Sequence, residues 1–569
     1  MASCQFDNPL VVQGDHTILV EIASPRYLEV RDRLIGFTEL VKAPEHVHTY
    51  RVTPLSVWNA CAAGTHAADM IGTLVEFSKY PVPEHVVVGI RDYASRYGRL
   101  QVRRDENSRG LVLAAADEPL AELVAHSKQV ALFLKERLSA LEFRVDPAAR
   151  GEIKQALVKI GFPAEDLAGY TEGETLTFSL RSTTLSQQPF VLRPYQATAA
   201  DAFYSAGSVR GGSGVITLPC GAGKTIVGMA CMAQLQSSTL ILTTSVTATR
   251  QWIHELLDRT TLSADQIGEY TGEKKQVRSV TVTTYQILTW RDARESDFAH
   301  LSLFDQRNWG LIIYDEVHLL PAPVFRVTAG LQARRRLGLT ATLVREDGRE
   351  DDVFALIGPK KADVPWKVLE NQGWIAAARC TEVRLPLPEE HRLPYAVAEA
   401  RDKFRIASEN PLKLAVVRQI LERHPAEPAL VIGMYLNQLR ALAEPLGVPV
   451  LTGATPQSQR DRLYAEFRAG RVRVLAVSKV ANFAIDLPEA SVAIQVSGTF
   501  GSRQEEAQRL GRILRPKNGQ NQSHFYTLVS RDTVEQDFAL KRQLFLCEQG
   551  YGYSILDQNQ LAQGSEGVK

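Results

Sequence analysis

The stretch Leu218-Pro219-Cys220-Gly221-Ala222-Gly223-Lys224-Thr225 has the residue types and spacing to grip a polyphosphate. Val215-Ile216-Thr217-Leu218 is apolar and β-branched, which predicts a buried strand ahead of the glycines. Ile226-Val227-Gly228-Met229 and the residues after it predict the start of a packed helix. In a strand–loop–helix unit of this kind, glycines let backbone N–H groups turn toward phosphate, and the helix N-terminus adds partial positive charge. Lys224 then reaches the β and γ phosphates, and Thr225 holds Mg²⁺ through its hydroxyl. Leu218 stands where the longer GxxxxGK[ST] form has glycine, so only the shorter GxGKT core is present. That core, taken alone, also fits a plain glycine-rich turn.

A second constellation narrows the reading. Leu311-Ile312-Ile313-Tyr314 predicts another buried strand, and it ends in Asp315-Glu316-Val317-His318. Acids at the C-terminal end of a parallel strand face the crevice where such sheets bind ligands. Asp315 is assigned to the Mg²⁺ shell, Glu316 to orienting or deprotonating the attacking water, and His318 to coupling nucleotide to lobe closure. Far downstream, Arg509, Arg512 and Arg515 recur at helical spacing and share one face. Such a face suits a solvated amphipathic helix. Beside a phosphate loop and DEVH it better fits arginine fingers, with Arg509 and Arg512 stabilising charge on the γ-phosphate. Arg193 and Gln196, ahead of the loop, are candidates for reading adenine, although RPYQ also suits a helix beginning at Pro194. Together these features imply a nucleic-acid-stimulated ATPase.

The elements that must position these groups follow from length and pattern. At 569 residues the chain has room for three or four domains. Lys+Arg total 65 against 64 Asp+Glu, so no global field attracts nucleic acid and binding must use local tracks. Six scattered cysteines without a CxxC pair argue against a zinc ribbon or iron–sulfur domain and suit a reducing compartment. Neither a membrane-length apolar run nor a basic leader is present, which predicts a cytoplasmic, nucleoid-associated chain with no membrane partner.

The expected fold class is α/β: two tandem RecA-like lobes with parallel sheets, preceded by two smaller mixed α/β domains. Boundaries are placed at 1–106, 107–185, 186–370 and 371–557, with a disordered tail over 558–569. Polar Arg104–Gly110 suggests the first boundary, and Ser182–Pro189 reads as a linker. His46-Val47-His48 alternates like two metal ligands on one strand face, but with no third ligand nearby, packing is the better reading. Strand ends rich in hydroxyls suit sequence-independent phosphate contacts. They nominate Thr244, Arg250, Trp252, Thr284, Tyr285, Thr452, Gly453, Ser478 and Lys479 for nucleic acid. Capped strand ends without any ligand are the plain alternative. Arg401-Asp402-Lys403-Phe404-Arg405 could meet bases and backbone, or be an ordinary amphipathic helix.

The order LRPYQ, LPCGAGKT, TSVTATRQW, TVTTYQ, DEVH, GLTATLVRED, LTGATPQ, SKV…DLPEA and QRLGRILR resembles superfamily 2 helicases. DEVH followed by GLTATLVRED looks like the xeroderma pigmentosum group B (XPB) branch in its prokaryotic form. Upstream, KYPVPEHV and RGEIKQALVKIGFPAEDLAGY resemble the N-terminal and damage-recognition-like domains of that family. The resemblance implies an ATP- and Mg²⁺-dependent DNA helicase of 3′→5′ polarity, acting in DNA repair on single-stranded or forked DNA with a 3′ tail. The nucleotide set it implies comprises Arg193, Gln196, Pro219, Cys220, Gly221, Ala222, Gly223, Lys224, Thr225, Asp315, Glu316, His318, Asp486 and Gln508. Arg345, Glu346 and Asp347 would form the strand-separating element, and a short thumb would occupy 393–408. Archaeal relatives pair with a nuclease, making a nuclease a candidate partner of a chain otherwise expected to be monomeric. The alternatives are a double-strand translocase or clamp that recruits a nuclease, and an RNA helicase.

Overall fold

The computed structural model describes residues 7–34, 36–42, 46–105, 110–208, 211–219, 221–290, 299–304, 306–331, 334–341, 350–364, 369–370, 372–478, 490–498, 522–548 and 552–562. It divides into two compact units, one holding 1–39, 49–218 and 223–364, the other 40–48, 219–222 and 365–569.

The sheet that carries the phosphate loop has seven strands. Their order is Ile267–Tyr270, Val280–Thr284, Thr239–Thr243, Leu311–Asp315, Arg335–Thr340, Ser213–Thr217 and Lys360–Asp363. Every pairing is parallel. Thr239–Thr243 and Val280–Thr284 are buried along their whole length, as strands covered on both faces must be. Leu240, Ile312, Tyr314, Phe304 and Trp309 fill one side of the sheet. A second parallel sheet of seven strands runs Val450–Leu451, Val474–Ser478, Ala429–Gly433, Val492–Gln495, Gln522–Ser530, Ala377–Leu385 and Gly552–Asp557. Two parallel, doubly covered sheets are the α/β architecture expected of tandem lobes.

Two smaller sheets precede them. The first orders Leu10–Val12, Thr17–Glu21, Val47–Arg51 and Glu39–Lys42; the second orders Leu134–Arg137, Glu142–Val145, Leu111–Ala115, Leu100–Arg104 and Ala164–Asp166. Leu100–Arg104 pairs antiparallel with Leu111–Ala115, so the second sheet spans the boundary expected at 106/107. Polar composition at Arg104–Gly110 was compatible with a break, but strand pairing decides membership. In this sheet Asp166 accepts from Arg150 at 2.6 Å and from Lys154 at 2.9 Å, tying the helix Arg150–Lys159 to a strand. Burial acts to raise the Asp166 carboxyl, yet the two cations outweigh it and hold the group far below its ordinary range. Burial likewise pushes the Lys154 ammonium down to about 8.

Two local expectations change. Ser182–Pro189 is no free linker: Leu185 N donates to Asp258 O and Ser186 N to its carboxylate, fastening the segment to the helix Val246–Arg259. Gln558–Ala562, expected within a disordered tail, is instead helical, with Leu561 fully buried in the second core. Residues 563–569 lie outside the described ones. The 393–408 stretch falls within two successive helices, Glu389–Val397 and Ala400–Ser408. Phe404 points inward, edge-on to Phe538 with ring centroids 5.2 Å apart, so Arg401–Arg405 is an amphipathic helix whose aromatic is unavailable for stacking on bases.

The second unit contains a sealed ion pair. Lys413 Nζ lies 2.8 and 3.0 Å from the two Glu535 oxygens and 2.8 Å from Val496 O, with both side chains essentially without solvent exposure. Glu535 also accepts from Ser530 N at 2.9 Å. Removing one partner strands a buried charge, which costs about 3–5 kcal/mol. Glu535→Ala is therefore expected to lower the thermal transition of this unit in scanning calorimetry. The double variant Lys413→Met/Glu535→Leu should recover most of the loss.

Candidate functional site

The site is built at the C-terminal edge of the first seven-stranded sheet, where strand register fixes the side chains. Thr217 pairs with Thr340, and Asp315 with Leu339 on the other side of the same strand. Three neighbouring strands thus end together in Thr217, Thr340 and Asp315.

Within the loop, Gly221 and Gly223 take φ of 80° and 82°, in the region that side chains disfavour. Gly223 caps the helix Lys224–Leu235, so the helix begins at the lysine and its first N–H groups have no carbonyl within the helix to bond. A Cβ on Gly223 would sit 2.6 Å from Gln196 Nε2. Glycine is required there for two reasons at once. Gln196 is buried, and its Oε1 accepts from Arg193 N at 3.0 Å, capping the helix Pro194–Tyr204. Arg193 Nη1 donates to Tyr195 Oη at 3.2 Å. Both expected adenine readers thus flank that cap, with Gln196 packed against the end of the phosphate loop. Pro219 and Ala222 are buried, and Thr225 is half-buried in the first helical turn.

Opposite the lysine stands the acidic pair. Lys224 Nζ lies 2.8 Å from Glu316 Oε1, both side chains being mostly shielded but reachable. Glu316 itself adopts a left-handed backbone, φ 52°. A non-glycine residue held there costs of order 1–3 kcal/mol, and such strain concentrates at functional sites. His318 Nδ1 is 2.7 Å from Thr340 Oγ1 and 3.6 Å from Glu316 Oε2. Asp315 Oδ2 accepts from Trp252 Nε1 at 2.9 Å, and its main-chain oxygen accepts from Tyr285 Oη at 3.0 Å.

These neighbours split the two acids electrostatically. Burial, then the adjacent Glu316 charge, pushes the Asp315 carboxyl up to about 6, against the pull of Lys224 and the Trp252 hydrogen bond. Burial acts the same way on Glu316, but Lys224, with help from His318, outweighs it and holds that carboxyl below its usual value. Asp315 is left under-compensated. A buried carboxylate in that state favours a nearby cation.

The donors fit a hard divalent ion. Asp315 supplies a carboxylate oxygen, and Thr225 a hydroxyl on the first helical turn. Thr217 Oγ1, buried at the end of the strand leading into the loop, has no hydrogen-bond partner among the described residues. Oxygen-only donors of this type suit Mg²⁺.

Residues nominated for nucleic acid fall into distinct places. Trp252 and Tyr285 are buried, at 2% and 4% exposure, and face Asp315, so in this conformation neither offers a ring to DNA. Thr284 caps the short helix Tyr285–Leu288 by accepting from Ile287 N. Arg250 is exposed but bonded to Glu273 at 2.7 Å. Thr244 is half-buried beside the end of its strand. Thr452 and Gly453 offer carbonyls that Arg460 takes at 2.9 and 2.7 Å, and Ser478 is buried at its strand end. Of the metal-like histidines, His46 is exposed and His48 buried. Cys220, Arg345, Glu346, Asp347, Lys479, Asp486, Gln508, Arg509, Arg512 and Arg515 lie outside the described residues. Sequence reasoning missed the role of Trp252 and Tyr285 in holding Asp315 because these partners are 63 and 30 residues away. It also missed Gly228, where a Cβ would meet the Trp252 ring at 2.6 Å.

Residues 369–569 match the ERCC3/RAD25/XPB C-terminal helicase model, 189–345 the type III restriction enzyme res-subunit model, and 10–139 a helicase conserved C-terminal domain model. The chain is 54% identical over 558 residues to a DNA 3′-5′ helicase XPB of Kineococcus radiotolerans, covering 98% of each chain. It is 54% identical over 555 residues to the protein of the same name from Mycobacterium tuberculosis, covering 98% of this chain and 99% of that one. It is also 34% identical over 562 residues to a general transcription and DNA repair factor IIH helicase/translocase subunit XPB of Antonospora locustae, covering 96% and 81%. The phosphate loop, the split acidic pair and the two parallel sheets therefore sit in a chain that belongs to the XPB family of superfamily 2 DNA helicases.

Proposed function

We propose that this chain is an ATP-dependent DNA helicase of 3′→5′ polarity acting in DNA repair, and that the described site hydrolyses ATP with Mg²⁺. The observation that carries the reading is the Lys224–Glu316 ion pair beside an under-compensated Asp315. Gly221, Gly223 and the first N–H groups of the helix cradle the phosphates. Lys224 leaves Glu316 for the β- and γ-phosphate oxygens, which frees the carboxylate to align the attacking water. Asp315 and Thr225 would hold Mg²⁺, which when bound would supply electrostatic neutralisation of the polyphosphate. Trp252 and Tyr285 fix the Asp315 carboxylate and its backbone. His318 joins Glu316 to Thr340 and so relays the state of the water-positioning acid to the next strand. Arg509 and Arg512 are assigned to stabilising the transferred charge, Arg193 and Gln196 to the adenine side, and Asp486 and Gln508 to the nucleotide set.

The fitting substrate is single-stranded or forked DNA with a 3′ tail, handled by a monomer in the cytoplasm at the nucleoid, with a nuclease as candidate partner. No described helix is long and apolar enough to cross a membrane. Thr244, Arg250, Thr284, Thr452, Gly453, Ser478 and Lys479 are the positions proposed to track the DNA backbone.

Steady-state ATP hydrolysis without nucleic acid, with single-stranded DNA, forked duplex or RNA, each across a salt series, tests this reading. Strong stimulation by forked or single-stranded DNA is expected; stimulation by RNA alone refutes it. Lys224→Ala should lower the stimulated rate on the order of 10²–10³-fold, as loss of one preorganised cationic donor does. Glu316→Gln should lose hydrolysis while still binding nucleotide, measured with a fluorescent ATP analogue.

The pH profile follows from Asp315. Its raised value means protonation sets in near pH 6, and protonation removes the charge that holds the cation. Hydrolysis is expected to fall about tenfold per pH unit below that point. Trp252→Phe removes a hydrogen bond that favours the ionised form, so it should move the acid limb to higher pH. An unmoved limb argues that another group controls it. Arg345→Ala should spare ATP hydrolysis and reduce strand separation on a forked substrate; intact unwinding removes that element from the mechanism.

A further inference from the structure

In the second unit, three potential metal ligands converge at the edge of the sheet opposite the ends that carry Gly433 and Ser478. His424 caps the C-terminus of the helix Lys413–Arg423, Glu427 follows in the next turn, and His524 lies near the start of the strand Gln522–Ser530. One ligand atom from each lies within 4.8 Å of the other two. His424 Nδ1 and Glu427 Oε2 are 3.2 Å apart. Two ligands on a tetrahedral zinc with ordinary bond lengths stand about 3.3 Å apart, so this pair already has the required bite. The imidazoles of His424 and His524 have centroids 4.5 Å apart, and a side-chain shift of about 1.5 Å in half-buried His524 brings its nitrogen to ligand distance.

The surroundings favour ligation over a simple ion pair. His424 Nε2 lies 3.0 Å from Tyr526 Oη. With Nδ1 on a metal, Nε2 carries the proton and donates to that oxygen, the outer-shell partner that orients a ligating histidine. Tyr526 and His524 alternate on one strand and stack with nearly parallel rings, so the same strand supplies a ligand and its support. Arg473 Nη1 donates to His424 O at 2.8 Å, fixing the backbone from which the ring projects. The helix C-terminus adds partial negative charge that favours a bound cation.

We propose that His424, Glu427 and His524 bind a borderline divalent transition ion, Zn²⁺ in the first instance, with water completing the tetrahedron. Neutral nitrogens with one carboxylate select such an ion over the Mg²⁺ that the oxygen-only phosphate site takes. The bound ion would staple the end of one helix to the start of a strand that crosses the core of this unit.

The test uses the full-length chain, stripped with chelator and kept in saturating Mg²⁺ so that the phosphate site does not report. Zn²⁺ is titrated by calorimetry, and Co²⁺ is added as a spectroscopic probe of tetrahedral ligation. One equivalent of tight Zn²⁺ is expected, with a tetrahedral Co²⁺ spectrum and slowed hydrogen exchange along Gln522–Ser530. Glu427→Gln, at a substantially exposed position, and His524→Ala should each weaken that equivalent more than about 100-fold, and Tyr526→Phe about 10–100-fold. The variants' apo thermal transitions serve as the folding control. Absence of a tight equivalent in the unmutated chain, or undiminished binding in both ligand variants, overturns the site.

Discussion

Everything at the phosphate site depends on keeping two adjacent carboxylates ionised in a poorly hydrated crevice with one ammonium between them. Lys224 pairs with Glu316 at 2.8 Å, and the consequence is unequal: Glu316 is held below its usual value while Asp315 is driven up to about 6. A site compensated fully by its own residues would gain little from a metal–nucleotide complex. Here one negative charge is left over, and the same ammonium is committed to a carboxylate that phosphate can displace. Under the proposed ATPase reading the arrangement suits Mg²⁺ and polyphosphate together, since each would relieve what the other leaves.

That balance requires positions fixed to a fraction of an ångström, and the sheet supplies them. Parallel register sets Thr217, Thr340 and Asp315 on three adjacent strand ends. Trp252 then links the sheet edge to the helix that begins at Lys224: its indole N–H holds Asp315 while its ring lies where only a glycine, Gly228, leaves room. The strained backbone at Glu316 persists because the pairing of Leu311–Asp315 on one side and the turn Val317–Leu319 on the other leave it no freer conformation. Strain, packing and charge therefore act on the same few residues.

What the sequence disclosed and what it hid follow from the range of the interactions. The phosphate loop, the DEVH strand end and the alternation of strands with helices are local patterns, and they were legible as such. Family resemblance covered nearly the whole chain for the same reason. Trp252 and Tyr285 were nominated for nucleic acid without sight of their bonds to Asp315, because an aromatic near a strand end looks the same whether it stacks on a base or bonds a distant residue. Only the fold tells which. The strand Leu100–Arg104 was assigned to the wrong side of a boundary because a polar turn between two strands and a polar linker between two domains share composition. Leu561 was given to a fraying tail because a single buried leucine carries no periodicity.

Two lysine–glutamate pairs in this chain show how burial decides what an ion pair is for. Lys413 and Glu535 are sealed, doubly hydrogen-bonded and further satisfied by Val496 O and Ser530 N. Nothing polar is left over, and exchange with any ligand would require unfolding. Lys224 and Glu316 make a contact of the same length, but with side chains 14% and 17% exposed and a second carboxylate alongside that the lysine does not neutralise. The first pair is complete and can only hold structure. The second is incomplete and reachable, so its charge deficit, together with the left-handed glutamate, is what the proposed metal-bound phosphate would relieve from outside the chain.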